Sequence, residues 1–306
     1  MVIAYYNLAE NNRVPYVTID EVRNSPTASA IDFSNLIENG SPYVQEIALN
    51  ELIKVASVKA DNYCLGAEGT LCATVTAENG RYRQNRAGQL VIHPAYWPIL
   101  EVRSVSVGTG PGAGLNALTI NSNNCWIERF QFVLTPTYSL PIQLGTLQLV
   151  SNQWGYLGEQ FVEYTYVNGF ANTFSTSDLP AGSTTIPVTS NVGIYPNSTL
   201  TIWDGMRDEV VTVASTYDGQ GLSIPLKNPT QYPHGEGVNV SQLPATVKQA
   251  VIHFVVALVK QRGAGGLMVR EMGEPEPVMG SAHSSDYDEA LAYDLLDDFK
   301  QIWGRN

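Results

Sequence analysis

The residues best suited to chemistry are four histidines, three cysteines and several neighbouring carboxylates, and their spacing sets up no recognisable reaction. His93, His234, His253 and His283 are scattered, and Cys64, Cys72 and Cys125 form no Cys-x-x-Cys pair, so neither a zinc box nor a His/Cys nucleophile is read. The odd cysteine count reads as reduced thiols of a chain made in the cytoplasm. His253 lies in an apolar helical run and reads as a satisfied core or interface residue; His93, before Pro94, reads as structural. Adjacent acids such as Asp208-Glu209 and Asp297-Asp298 are not a hydrolase pair, which needs two carboxyls held about 5–10 Å apart across a cleft. On a helix, Asp297 and Asp298 point to different faces and read as solvated. Gly108, Gly110, Gly112 and Gly114 alternate, but Ala113 breaks any phosphate-loop spacing, and the run reads as a hairpin tip. The sequons at Asn197 and Asn239 read as chance. No catalytic residue, metal ligand or cofactor site is therefore assigned.

The one basic feature is Arg81, Arg83 and Arg86, placed after a predicted hairpin turn at Asn79-Gly80. Arg81 and Arg83 alternate and so share a strand face. They suit an exposed edge strand, subunit salt bridges or a phosphate backbone.

The elements that position these residues fall into blocks. Val14 to Leu65 reads helical. Thr18-Ile-Asp-Glu21 is a capping box, and Ser41-Pro42 is a second start with Ser as N-cap. Val44, Ile47, Ala48, Leu52, Val55 and Ala56 recur at helical spacing up to Gly66. Leu71 to Val167 is strand-patterned. Ser175 to Leu243, rich in Thr, Ser, Gly and Val, reads as five short strands: Thr184–Thr189, Thr199–Trp203, Glu209–Ala214, Leu222–Leu226 and Val238–Ser241. Pro244 opens an apolar helix that ends at Gly263. A Gly- and Pro-containing linker follows, then a last helix from Ser285 with the stripe Leu291, Leu295, Phe299 and Trp303. That stripe must be buried, either on another chain or back on its own Pro244 helix.

Composition narrows the classes further. The 306 residues carry 17 basic and 29 acidic side chains, a net charge of −12, and only 15% are charged. A general electrostatic grip on DNA or an anionic membrane is unlike such a chain, although surrounding DNA without holding it is not. The start lacks a basic region and a long apolar run, so no signal peptide is read. The longest apolar stretch, Ala250 to Val259, is about half the roughly 20 residues that span a bilayer.

Several motifs together resemble a known family. Tyr16-Val-Thr-Ile-Asp-Glu-Val, then Tyr43 to Ser57 with Ala56-Ser57, then Asp61-Asn-Tyr63, is similar to the opening of the head–tail connector (adaptor) proteins of tailed double-stranded DNA phages. That opening reads Y-x-T-x-x-E-h, followed by a helix ending A-S-x-x-I-D-x-Y. Leu243-Pro-Ala-Thr-Val-Lys-Gln-Ala250 resembles the family's P-x-x-h-K-x-A helix, and Tyr287 to Ile302 its final helix. His93 to Val107 resembles the P-x-x-x-V-x-S-V strand of the larger actinobacteriophage adaptors, and the 175–243 block resembles a small β module of phage virion proteins. The matches cover about half of the chain.

An α+β fold is expected: terminal helices forming a small bundle (1–66 and 244–306, the last part an arm), a β-rich domain (67–174) and an inserted β-sandwich or barrel module (175–243). The resemblance implies a structural virion protein and not an enzyme, located in the virion neck and assembled in the bacterial host cytoplasm. It implies a homo-oligomeric ring of twelve between the portal and a head-closure or tail-completion protein. Double-stranded DNA would pass through the lumen without specific binding. The rival readings are a tail terminator, a capsid decoration protein, or a β-rich tail-associated carbohydrate-binding or depolymerase protein. Candidate interaction residues are Arg81, Arg83, Arg86, Leu291, Leu295, Phe299 and Trp303.

Overall fold

In the computed structural model the chain is α+β. The structure describes residues 14–29, 31–66, 69–85, 88–108, 110–111, 114–128, 130–135, 159–261 and 284–301. The chain divides into two compact units: residues 1–7 with 73–169, and residues 8–72 with 170–306.

The first unit is built of antiparallel strands. β1 (Thr74–Arg83), β7 (Glu159–Asn168), β3 (Ile99–Gly108) and β4 (Asn116–Leu118) form one sheet in the order β1-β7-β3-β4. β2 (Leu90–Ile92), β6 (Gln131–Leu134) and β5 (Cys125–Glu128) form a second, in the order β2-β6-β5. Leu90, Ile92, Phe132 and Leu134 of the small sheet share one core with Val102, Val105, Val107, Val162, Tyr164 and Tyr166 of the large one. Alternation along β7 puts Val162, Tyr164 and Tyr166 on the inner face.

The predicted turn at Asn79-Gly80 does not form. β1 runs straight through it, with Asn79 opposite Glu163 and Gly80 opposite Val162. A ten-residue ladder with β7 outweighs the local turn preference, and Gly80 is small because the Tyr82 ring lies over it: a Cβ there would come within 2.8 Å of that ring. The turn comes five residues later. Gly88 takes φ +78°, and Asn85 bonds Gln89 through backbone and side chain. β3 and β4 do pair antiparallel as a hairpin, with Val107 opposite Asn116; Gly108 ends β3, and Gly112 lies outside the described residues.

The second unit combines helices with a β module. α1 (Ile19–Asn24) starts at the Thr18–Glu21 capping box, with both reciprocal bonds present. α2 (Pro42–Leu65), about 36 Å long, stops at Gly66, whose φ is +77°. Pro42 sits at the first turn as expected, but the Ser41 side chain makes no capping bond. The buried face of α2 is Ala48, Leu49, Leu52, Ile53, Ala56, Ala60 and Cys64; Ile47 and Val55, expected inside, are exposed. α3 (Ala245–Gln261) is buried on nearly every side, and α4 (Ser284–Leu296) packs on α3 and α2.

In the module, β11 (Glu209–Thr212), β10 (Thr199–Trp203), β13 (Asn239–Ser241) and β8 (Asn172–Phe174) make one sheet, and β9 (Thr185–Pro187) pairs with β12 (Ser223–Pro225). Its core of Leu179, Ile186, Val188, Leu200, Ile202, Val213, Ile224 and Val240 is contiguous. Its ends meet, with Ser241 opposite Asn172 and the Gln242 N–H donating to Ala171 O at 2.8 Å.

Candidate functional site

A buried polar network in the second unit ties the start of the described chain to the C-terminal end of α2 and the segment after it. Tyr16, fully buried, donates its hydroxyl to Asp61 near the C-terminus of α2, and its N–H donates to Ser57 Oγ at 3.1 Å. Asp61 also accepts the Leu71 N–H at 2.8 Å, and Thr70 Oγ1 lies 3.1 Å from the Tyr16 oxygen. Burial, with the Asp61 charge beside it, pushes the Tyr16 phenol well above its ordinary value, so it remains a donor.

One turn further on, Glu21 crosses from α1 to α3. One of its oxygens accepts the Thr18 N–H at 2.7 Å, and the other accepts from the Lys248 ammonium. Both side chains are buried, and the Lys248 nitrogen stands 4.4 Å from the centre of the Trp203 ring, which β10 supplies. Burial opposes both charges. It lifts the Glu21 carboxyl above its usual range and pulls the Lys248 ammonium down to about 8, each against the partner's attraction. Gly205, at φ +77°, closes the turn after β10 against α1; a Cβ there would sit 3.2 Å from Asn24 Nδ2 and 3.5 Å from the Asp20 carbonyl.

A second polar group fastens α4. Asp288 accepts from Lys260 at 2.6 Å and stands 3.2 Å from His253 Nδ1; Gln249 reaches the other ring nitrogen of His253 at 3.3 Å. Glu289 accepts from Lys59 of α2 at 2.8 Å and from Tyr293 at 3.0 Å, and the Lys59 bond holds its carboxyl below the usual range. Tyr63 donates to Asp297, which lifts its phenol to about 12.

His234, read from sequence as one of four scattered histidines, is buried between Asp204 (2.8 Å) and Glu209 (3.2 Å). Asp204 also caps the Met206 and Arg207 N–H groups, and Glu209 accepts the Gln231 and Tyr232 N–H groups, so the trio locks two module loops together. In the first unit, buried Glu78 accepts from Tyr164 (2.7 Å), Tyr166 (2.6 Å) and the Ala95 N–H (3.2 Å). Glu78 and Glu209 are buried, Asp204 partly so, and their oxygens are occupied by protein donors, an arrangement that fixes loops.

The sequence-derived interaction residues separate. Arg81 and Arg83 lie exposed on one face of β1, Arg83 paired with Glu159 at 3.1 Å; Arg86 lies outside the described residues. On α4 the innermost line is Asp288, Ala292 and Leu296, because Lys260 and His253 draw Asp288 inward. Leu291, Leu295 and Phe299 flank that line, partly buried, with Phe299 6.4 Å from the Phe170 ring; Trp303 and His283 lie outside the described residues. His253 is satisfied, as its apolar surroundings suggested, and His93 is exposed.

The three thiols are unbridged, and burial raises Cys64 and Cys72 to about 12. Among the described residues no group of His, Cys, Asp and Glu could hold a metal ion, and no helix is long and apolar enough to cross a membrane. A scan against protein-family models finds no match, and neither does a search of curated proteins.

Proposed function

We propose that this chain is a structural subunit of a tailed virion, a head-to-tail adaptor that closes into a ring, of twelve copies by the family resemblance, between portal and tail. It acts by assembly and not by catalysis, and lets double-stranded DNA pass through its lumen without specific binding.

One observation carries the reading. Tyr16, Thr18, Glu21, Ser57, Asp61 and Lys248, all positions of the family-like motifs, converge into the buried framework that joins α1, α2 and α3. Motif letters drawn from distant parts of the chain by chance would have no reason to bond one another across up to 227 positions. A residue set that clamps α1 and α2 to α3 in one helical frame suits a shared subunit architecture.

Two further features support a subunit role. α2 leaves Tyr43, Ile47 and Val55 exposed on its outer side, at 72%, 47% and 46%, a face that a ring neighbour would cover. Charge is segregated: the first unit holds five Arg and five Glu, with no Lys or Asp, and is neutral, so the whole deficit of −12 lies in the second. A ring lined by such acidic surface would hold few phosphates and release few counterions as DNA slides.

The test is removal of the chain from the particle that encodes it. DNA-filled heads and separate, complete tails are expected, and adding the chain back should join them. Normally joined particles in its absence would overturn the proposal. Capsids that lose stability while still joining tails would indicate a decoration protein.

A further inference from the structure

The receiving groove for α4 is basic and its occupant acidic. From Ser284 to Leu296 the helix has Asp286, Asp288, Glu289 and Asp294 and no base, and Asp297 and Asp298 follow. The groove presents Lys59 from α2 and His253 and Lys260 from α3. Among the helix's described side chains Ala292 and Leu296 are fully buried and Asp288 nearly so, with Tyr293 set edge-on to Phe254 at 5.1 Å. Leu291 and Leu295 are partly buried beside them, and the identical groove of another copy would restore every one of these ion pairs and apolar contacts, so exchange between copies costs little.

The tether is far longer than this seat needs. Lys260 and Gln261, at the end of α3, already bond Asp288 and Glu289, in the first turns of α4. Antiparallel helix neighbours are joined by about 2–8 residues. Here residues 262–283 intervene, including Gly263, Gly265, Gly266, Gly273 and Gly280. At about 3.3 Å per residue that length of chain reaches on the order of 70 Å.

We propose that α4 is exchanged between copies of this chain, each subunit seating its acidic helix in the Lys59/His253/Lys260 groove of the next. The exchange is heterologous and head-to-tail, which closes a ring when the rotation allows. This deepens the ring proposal above, since it names the contact that would link neighbours, but it does not require the virion role.

The native ion pairs supply the test without any substitution. Isotopically light and heavy full-length protein are mixed before assembly and coupled with a carbodiimide, which turns touching ammonium–carboxylate pairs into amides. Oligomers and monomers are then separated by size and the Lys260–Asp288 and Lys59–Glu289 peptides read by mass spectrometry. Light–heavy pairs in the oligomer are expected. Closed rings with only same-isotope pairs would overturn the exchange and leave the ring standing. Mixed pairs in dimers that never close would support the exchange and count against the ring. Monomers with same-isotope pairs at every concentration would overturn the exchange.

Discussion

At the scale of single residues, the Glu21–Lys248 pair is where stability is most sensitive. Removing one member leaves the other charge buried without its partner. Lys248→Met alone is expected to cost about 3–5 kcal/mol in denaturant unfolding, and Glu21→Leu with Lys248→Met much less than the sum. Equal, additive losses would show that the pair is not coupled. The pair also has a pH signature. Lys248 titrates at about 8 when folded and near 10.5 when unfolded. Between those values the unfolded chain holds a proton that the folded chain has released, so this group's contribution rises with pH across that window and is lowest below it. Unfolding free energies of the wild type measured against the double variant from pH 7.5 to 10.5 should therefore diverge in favour of the wild type. A flat difference would contradict the burial assigned to Lys248. The sequence made Thr18, Glu21 and Lys248 visible one by one, through a capping box and a resemblance, but not their meeting. A contact across 227 positions leaves no local pattern. The partners of His234 were invisible for the same reason, because Asp204, in the turn after β10, and Glu209, at the start of β11, lie 30 and 25 positions away. Asn79-Gly80 misled because a dipeptide's turn preference is small beside ten ladder pairs.

At the scale of elements, α4 and the turn after β10 are the informative pieces. Glu289 has a folded pKa below its ordinary 4.5, so its contribution is present above 4.5 and lost as pH falls through the lower value. Amides of α4 are expected to exchange faster with solvent as pH is lowered from 5 to 3.5, after correction for intrinsic rates, while those of α3 stay protected. Equal protection of both helices would show that the ion pairs do not hold α4. Gly205→Ala forces a left-handed backbone on a side chain that meets α1, and is expected to cost about 1–2 kcal/mol without changing helix content. The module's own core and adjoining ends make it separable. Replacing 175–238 by a short Gly/Ser turn is expected to keep the helical circular dichroism while lowering stability, because Lys248 loses the Trp203 ring. Collapse of the helical signal would show that the helices depend on the module for folding. Five of the module's six strands were legible because each is short and bounded by turn residues such as Asp204-Gly205 and Asp218-Gly219; β8, three residues long and before the block's expected start at Ser175, was not. The exposed side of α2 was not. Apolar spacing cannot tell a residue facing its own core from one left at the surface, and Ile47 and Val55 are the latter.

At the scale of the whole molecule, the α+β class was legible from the order of helical and strand patterns, and the acidic balance from composition. The split of charge between a neutral first unit and an acidic second appears only once the unit boundaries near 72 and 169 are known. That division ties the assembly to salt. If acidic second units meet basic surfaces of the portal, attachment to filled heads should weaken between 50 and 500 mM salt, as the screening length falls from about 14 Å to about 4 Å. Salt-independent attachment would point to an apolar contact instead, such as the exposed α2 face. The most direct test of the ring-subunit account is a cryo-electron reconstruction of the intact tailed particle with the chain traced in its density. The expected result is a closed, rotationally symmetric ring of this chain at the neck, between portal and tail, around the DNA channel. Placement of the chain on the capsid shell or at the tail tip would contradict it.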